Sequence, residues 1–233
     1  MSFGLIFDLD DTLIEEDDFQ QSADAAVIQF LSSELGLSRE RVRTALARAD
    51  SSPRSERFQN LLSYLSAPGG DELLNRLIRE HREHKPRIDW RSEVLPALHE
   101  LKRFDVRMGI ITDGYSVTQR NKLEVLNAAG LFESIVVTDE LGPDREFWKP
   151  HPRAFEEVCA QLGVTTDRAA YVGDNPSKDF HVATRLPIVT IRLYRDSGVH
   201  IEKPYLQNVR EHHGIRSLKE LPAVIEGLGV LRK

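Results

Sequence analysis

Short apolar runs that end in polar residues constrain the fold of this 233-residue chain more than any other feature. Each run is continuously apolar, as is typical of strands buried on both faces of a parallel sheet. From about residue 89 onward the runs alternate with helical patterns, which indicates βαβ units. We therefore predict an α/β fold with a parallel sheet covered on both faces. The predicted strands are residues 3–8, 107–112, 134–139, 169–174 and 188–193.

Residues 19–87 break this alternation, because they contain no strand-like run. Glycine and proline residues divide the segment into four helical stretches. The pattern predicts a helical block inserted after the first strand. This block separates the two parts of one core domain, residues 1–18 and residues 88–233. The four stretches are residues 22–35, 38–49, 55–65 and 71–84. The helical patterns of the core are residues 95–104, 116–130, 152–163, 176–186 and 217–229.

Composition excludes several classes of protein. Hydrophobic residues make up 40% and charged residues 29%, and the net charge of -6 gives no support to nucleic-acid binding. No apolar run approaches the roughly 18 residues of a membrane span, and the first residues lack a signal-peptide pattern. Cys159 is the single cysteine, so no intrachain disulfide can form. We expect a cytoplasmic protein that binds neither nucleic acid nor membrane.

The predicted strands end in residues that can do chemistry. Asp8 ends the first run and Asp10 comes two residues later, residues 112–114 (Thr-Asp-Gly) close the second, and Asp174 closes the fourth. Lys149 lies between the third and fourth runs. In open parallel sheets, ligands bind at the carboxyl ends of the strands. These residues, distant in sequence, should therefore meet at one edge of one domain.

Helix-start patterns lie beside these residues. Ser116 to Gln119 fits a capping box, and Asn175-Pro176 offers a cap residue followed by proline at the first helical position. Pro152 could begin another helix just after Lys149. Helix N-termini present free N–H groups and a partial positive charge, which favour a bound phosphate. The pattern predicts a phosphate site at this edge of the sheet.

Four motifs occur in order along the chain. They are DLDDT at 8–12, TDG at 112–114, the lysine of KPHP at 149, and GDNPSKD at 173–179. With these motifs the sequence resembles the haloacid dehalogenase superfamily, and within it the phosphatases with a helical cap inserted after the first motif. The resemblance covers nearly the whole chain. It implies a Rossmann-like parallel-sheet core and an α-helical cap domain at residues 19–87.

The resemblance also implies roles for the matching acids. Asp8 would be the nucleophile that becomes a phospho-aspartate. Asp10 would be the general acid that protonates the leaving alcohol and then the base that activates water. Asp8, Asp174 and the backbone carbonyl of Asp10 would hold Mg²⁺. Asp179 would either support the metal site or orient the lysine.

The remaining matched residues would bind the phosphoryl group of the substrate. They are Thr112, Asp113, Gly114 and Lys149. Asp113 departs from the family pattern, which often has asparagine there, so it could alter phosphate affinity or substrate preference.

Physical chemistry supports these assignments independently. A carboxylate repels a phosphate dianion, and a divalent cation and an ammonium group cancel that repulsion. Mg²⁺ prefers oxygen ligands, and a covalent intermediate divides one difficult step into two easier ones. An acid at Asp10 suits the release of an alkoxide rather than a halide, which disfavours a dehalogenase.

The sequence leaves several alternatives open. A phosphomutase shares the same core residues, and a non-catalytic phosphate-binding module is the hypothesis from another class. We expect the substrate to be a small phosphorylated metabolite, with sugar phosphates first. The oligomeric state is left open.

Overall fold

Two compact units make up the chain in the computed structural model, which describes residues 2–53, 55–195, 200 and 202–232. One unit, here called the core unit, consists of Met1–Glu16 and Ile88–Lys233. The other, here called the helical unit, is Asp17–Arg87. The core unit contains the sheet, and the helical unit consists of helices and their connections.

A six-stranded parallel sheet forms the centre of the core unit, in the order β3-β2-β1-β4-β5-β6. The parallel α/β core is therefore confirmed. The predicted runs become strands because their residues are almost all buried, with β1 completely so. The strands are β1 (Phe3–Phe7), β2 (Val106–Thr112), β3 (Ser134–Val137), β4 (Ala169–Gly173), β5 (Val189–Leu193) and β6 (His213–Ile215).

The strand order has a switch point beside β1. The chain runs outward from β1 through β2 to β3, and then returns to place β4 on the other side of β1. At such a switch point the connections leave on opposite faces of the sheet and open a crevice at the carboxyl ends of the strands. Asp8 follows β1 and Asp174 follows β4, so both residues lie at this crevice.

Eight α-helices accompany the sheet among the residues that the structure describes. Five lie between β1 and β2: α1 (Glu16–Leu35), α2 (Arg39–Ala49), α3 (Arg57–Tyr64), α4 (Gly70–Glu83) and α5 (Val94–Leu101). The others are α6 (Ser116–Val125), α7 (Arg153–Leu162) and α8 (Leu221–Gly227). None of these helices is both long and apolar enough to cross a bilayer.

The helical unit has its own apolar core. Phe19, Ala23, Val27 and Leu31 recur every four residues along α1 and are all buried, so they form one stripe. Val27 and Leu31 belong to a cluster with buried residues of α2, α3 and α4. Ser38 caps α2 by accepting a hydrogen bond from the backbone N–H of Arg41. Since the cluster draws on all four helices, the segment packs as a unit by itself.

Helix α7 packs an apolar face against the sheet and supports the end of β4. Its buried residues include Phe155 and Val158, which share a cluster with Ile6 of β1 and Ile111 of β2. The Phe155 ring meets the Tyr171 ring edge to face, with centroids 4.9 Å apart. Both rings are fully buried. The packing therefore fixes Tyr171, whose hydroxyl enters the functional site.

Replacing Phe155 by alanine should lower the free energy of unfolding by about 3–5 kcal/mol, because a buried ring is lost and a cavity remains. Urea unfolding followed by circular dichroism measures the change. Val125→Ala on α6 is the control, since Val125 is 41% exposed and should cost less than about 0.5 kcal/mol. A loss below about 1 kcal/mol for Phe155→Ala would show that the neighbouring side chains refill the space.

The structure corrects two predictions of secondary structure. Residues 176–186 do not form the predicted α-helix; they form turns and a short 3₁₀ helix at His181–Thr184. The Asn175 side chain accepts bonds from both the N–H and the hydroxyl of Ser177, which closes a local turn instead. Strand β6 was not predicted, because its three residues include a single large apolar side chain.

Candidate active site

A buried lysine joins two carboxylates at the carboxyl end of the sheet. The Lys149 ammonium lies 2.6 Å from Asp8 Oδ1 and 3.1 Å from Asp179 Oδ1. It also donates to the Tyr171 hydroxyl at 2.7 Å, and that hydroxyl donates to Asp179. The side chains of Lys149 and Asp179 are fully buried, and that of Asp8 is 4% exposed. This arrangement places a fixed positive charge against the predicted nucleophile.

The electrostatics of this cluster follow from burial and proximity. Burial raises the pKa of Asp8 to about 6, although Lys149 opposes the change. Burial alone would lower the pKa of Lys149, but the carboxylates of Asp179, Asp8 and Asp113 outweigh it and raise that pKa. Lys149 therefore stays charged.

Both oxygens of Asp179 are engaged within the protein. Oδ1 faces Lys149 and Tyr171, and Oδ2 accepts the backbone N–H of Asn175 at 2.9 Å. A Cβ on Gly173 would lie 2.5 Å from Asp179 Oδ2, so only glycine leaves room for this carboxylate. These contacts favour a role for Asp179 in orienting Lys149 over a role in supporting a metal.

Asp174 supplies the donor atom that a cation would need. It is 5% exposed, and its Oδ1 has no hydrogen-bond partner among the residues that the structure describes. Carboxylate oxygens of Asp8, Asp174 and Asp179 all lie within 4.8 Å of one another. Burial first, and then the neighbouring carboxylates, raise the pKa of Asp174 well above its ordinary value. A buried, unpartnered oxygen among like charges fits a hard divalent cation such as Mg²⁺.

Asp10 is held in a separate set of contacts. Its Oδ1 accepts from the Lys122 ammonium at 2.7 Å, and its Oδ2 accepts from the Gln119 amide at 2.9 Å. Burial would raise the pKa of Asp10, but Lys122 and these hydrogen bonds outweigh burial and lower it. The regular strand β1 ends at Phe7, before Asp8 and Asp10. Asp10 is therefore oriented by its contacts with α6.

The residues of the second motif lie at the end of β2 and in the turn that follows it. Thr112 is fully buried at the end of β2, and the Gln119 amide donates to its hydroxyl. Gly114 has a φ of 141°, and a Cβ there would lie 3.0 Å from the Gln119 side chain. The turn after β2 therefore requires glycine.

Asp113 is held by three donors. The Thr138 hydroxyl donates at 2.8 Å, the Lys149 backbone N–H at 3.1 Å and the Lys178 ammonium at 2.9 Å. Burial opposes ionisation, but Lys149 and Lys178 outweigh it and lower the pKa of Asp113. The negative charge that Asp113 carries, and that an asparagine would lack, is thus neutralised within the protein.

The predicted capping box at Ser116 is wrong. Tyr115 is the cap residue of α6, and Ser116 already has helical geometry. The Ser116 backbone N–H donates to the Asp139 carboxylate at 2.9 Å. Gln119 points instead to Asp10 and Thr112. The carboxylate of Asp139, two residues after β3, therefore accepts the N–H group of Ser116 at the start of α6. In contrast, Pro152 does precede the first residue of α7, as predicted.

Sequence reasoning missed four residues that contact the predicted site: Gln119, Lys122, Tyr171 and Lys178. Gln119 and Lys122 are three residues apart on a helix, and so lie on the same face. They share that face with the buried Leu123. Neither residue gave a signal in the sequence, because each reads there as an exposed helix residue and its burial depends on the packing of α6. Tyr171 gave none, because it lies within an apolar strand.

Comparisons with known proteins agree with this geometry. A family model described as haloacid dehalogenase-like hydrolase matches residues 5–193. The chain belongs to the haloacid dehalogenase-like hydrolase family. A glyceraldehyde 3-phosphate phosphatase of Methanopyrus kandleri is 29% identical over 199 residues, which cover 82% of this chain and 84% of that protein. One from Methanocaldococcus jannaschii is 25% identical over 230 residues, 97% of each chain.

Solved structures show the same fold. A haloacid dehalogenase-type hydrolase of Bacillus subtilis, solved bound to magnesium, superposes with a TM-score of 0.64 at 22% identity. The match covers 96% of this chain and 98% of that one. With the family match and the phosphatase-named relatives, the prediction of a phosphatase-like hydrolase of the haloacid dehalogenase family is confirmed.

Proposed function

We propose that this protein is a Mg²⁺-dependent phosphomonoesterase that works through an aspartyl-phosphate at Asp8. One observation carries the proposal: the buried Lys149 ammonium lies 2.6 Å from Asp8 Oδ1, while the unpartnered Oδ1 of Asp174 lies in the same cluster. A nucleophilic carboxylate needs a neighbouring positive charge to approach a phosphate dianion. Lys149 provides one such charge.

In the first step the Asp8 carboxylate attacks phosphorus and the bond to the substrate oxygen breaks. Asp10 delivers a proton to that oxygen, which leaves as an alcohol. Lys149 and the Thr112 hydroxyl bind the phosphoryl oxygens, where negative charge accumulates. Asp179 and Tyr171 keep the ammonium in place.

In the second step Asp10 takes a proton from water, and the water oxygen attacks phosphorus. The bond between phosphorus and the Asp8 oxygen breaks, which releases phosphate and restores the carboxylate. Since Asp10 gains in this step the proton that it gave in the first, the cycle closes without another acid or base.

Three groups would hold the cation: the carboxylates of Asp8 and Asp174 and the backbone carbonyl of Asp10. When bound, Mg²⁺ would offset the repulsion between carboxylate and phosphate. Asp179 is assigned to the lysine, because both of its oxygens are already engaged.

The proposed substrate is a small phosphorylated metabolite of the cytoplasm. The two relatives described above are named for glyceraldehyde 3-phosphate, so we place this three-carbon sugar phosphate first. We assign substrate selection to the helical segment at residues 19–87, acting as the cap. Phosphate release from a panel of sugar phosphates, nucleotides and phosphorylated acids, with a 2-haloacid included, tests the proposal. Release of halide without phosphate would contradict it.

Removing the cation should abolish turnover, and Asp174→Asn should raise the Mg²⁺ concentration needed for half-maximal rate by about tenfold or more. The reason is the loss of a charged ligand oxygen from a site with few protein ligands. Steady-state rates across a Mg²⁺ titration measure the change. Asp139→Asn, at the end of β3, is the control and should keep the wild-type requirement. Unchanged Mg²⁺ dependence in Asp174→Asn would contradict the assignment.

A further inference from the structure

Lys122 is a buried lysine between two carboxylates of the core unit. Its side chain is 2% exposed, and its ammonium lies 2.7 Å from Asp10 Oδ1 and 2.8 Å from Glu16 Oε2. Burial of an ammonium is unfavourable unless carboxylates pair with it. Because Asp10, the proposed acid-base group, is one of its partners, Lys122 bears on the chemistry as well as on the fold.

The two oxygens of Asp10 are fixed by different residues of α6. Lys122 donates to Oδ1, and Gln119 donates to Oδ2. Two donors on two oxygens fix both the position and the plane of the carboxylate. Each oxygen still has a lone pair that can take a proton, because a carboxylate offers about four lone-pair sites. The arrangement therefore fixes the orientation of the side chain that has to accept a proton from water.

We propose that Lys122 is a positioning residue that holds the Asp10 carboxylate for activation of water in the second step. The inference rests on the proposed function, since it concerns hydrolysis of the aspartyl-phosphate. The water proton passes to Asp10, the water oxygen bonds to phosphorus, and the bond to Asp8 breaks. Lys122 exchanges no proton in this step; it keeps the base in line with the water.

The test separates the two chemical steps with para-nitrophenyl phosphate, whose leaving group needs little protonation. Lys122→Met should lower kcat by about 10- to 100-fold, the usual effect of misplacing a catalytic group. The value of kcat/KM, which reports formation of the aspartyl-phosphate, should change little, so KM should fall with kcat. A burst of nitrophenol equal to the enzyme concentration should appear, because dephosphorylation becomes limiting.

A double-mutant cycle shows whether Lys122 acts through Asp10. In an Asp10→Asn background, adding Lys122→Met should cause no further fall in kcat. Arg120→Met is the matched control: it removes another cation of α6, which is exposed and paired with Glu140, and it should leave kcat near the wild-type value. If Lys122→Met does not fold, Lys122→Met with Glu16→Gln removes one charge of each sign and should show the same kinetic pattern.

The outcomes are distinguishable. Equal falls in kcat and kcat/KM without a burst, or additive losses in the cycle, would overturn the positioning role while the proposed function stands. Wild-type enzyme that releases no phosphate would overturn the proposed function, and this inference with it.

Discussion

Asp8→Asn should abolish phosphate release, with a loss of about 10⁴-fold or more, as expected when a nucleophile is removed. The amide that replaces the carboxylate cannot form the aspartyl-phosphate. Turnover of the best substrate from the panel, at saturating Mg²⁺, measures the loss. Mass spectrometry of acid-quenched enzyme should show a phosphorylated wild type and an unmodified variant.

The same variant should remain folded, which separates lost chemistry from lost structure. Without a bound cation, the pKa of Asp8 is raised to about 6. A carboxyl whose pKa is higher in the folded than in the unfolded chain destabilises the folded chain when it is ionised. The free energy of unfolding therefore falls as the pH rises to about 6, and the charge of Asp8 remains unfavourable at neutral pH. Asp8→Asn should therefore melt no lower than the wild type at neutral pH. Asp105→Asn, before the start of β2, is the control and should retain activity. Normal turnover by Asp8→Asn would end the mechanism.

Lys149→Met should lower both activity and stability. The ammonium is fully buried between Asp8 and Asp179, so its loss leaves two buried carboxylates without their cation. Breaking a buried ion pair from one side costs about 3–5 kcal/mol. Phosphate release should fall by about 10³-fold, because a charge that stabilises the phosphoryl oxygens is gone. Denaturant titration and steady-state kinetics measure the two effects.

A second substitution tests the cause of the instability. Adding Asp179→Asn to Lys149→Met removes one of the stranded charges and should restore part of the stability without restoring activity. Lys102→Met, at an exposed position after α5, should change stability by less than about 0.5 kcal/mol. If Lys149→Met were as stable as wild type, the buried ion cluster would not be important for folding.

The sequence predicted the centre of the sheet better than its margins. Five strands were recognisable because β1 and its neighbours are buried on both faces, and this burial makes their sequences continuously apolar. Strand β6 has no such signature, because Ile215 is the single large apolar residue among its three residues. Residues 176–186 have a helical pattern, but hydrogen bonds of the Asn175 and Asp179 side chains select a turn there. Side-chain contacts of this kind are set by the tertiary structure.

Residues of the site that lie at strand ends could be predicted, and residues that support them could not. Asp8, Thr112 and Asp174 converge because parallel strands end at one edge, a rule that needs no coordinates. Lys122 reads as an exposed helix residue in sequence, since lysine is rarely buried. Its burial depends on Asp10 and Glu16, more than 100 positions away. Predicting such a residue requires the packing of α6.

The position of β1 in the sheet determines when the proposed catalytic residues can come together during synthesis. Phe3 pairs with Val106 and Phe7 with Val172, so β1 leaves the ribosome long before either neighbouring strand exists. Such distant pairing gives a high contact order, which slows folding and leaves apolar strands exposed in the nascent chain. We therefore expect nascent chains that end before β4 to have no phosphatase activity. The strand that precedes Asp8, the proposed nucleophile, is made first and becomes functional last.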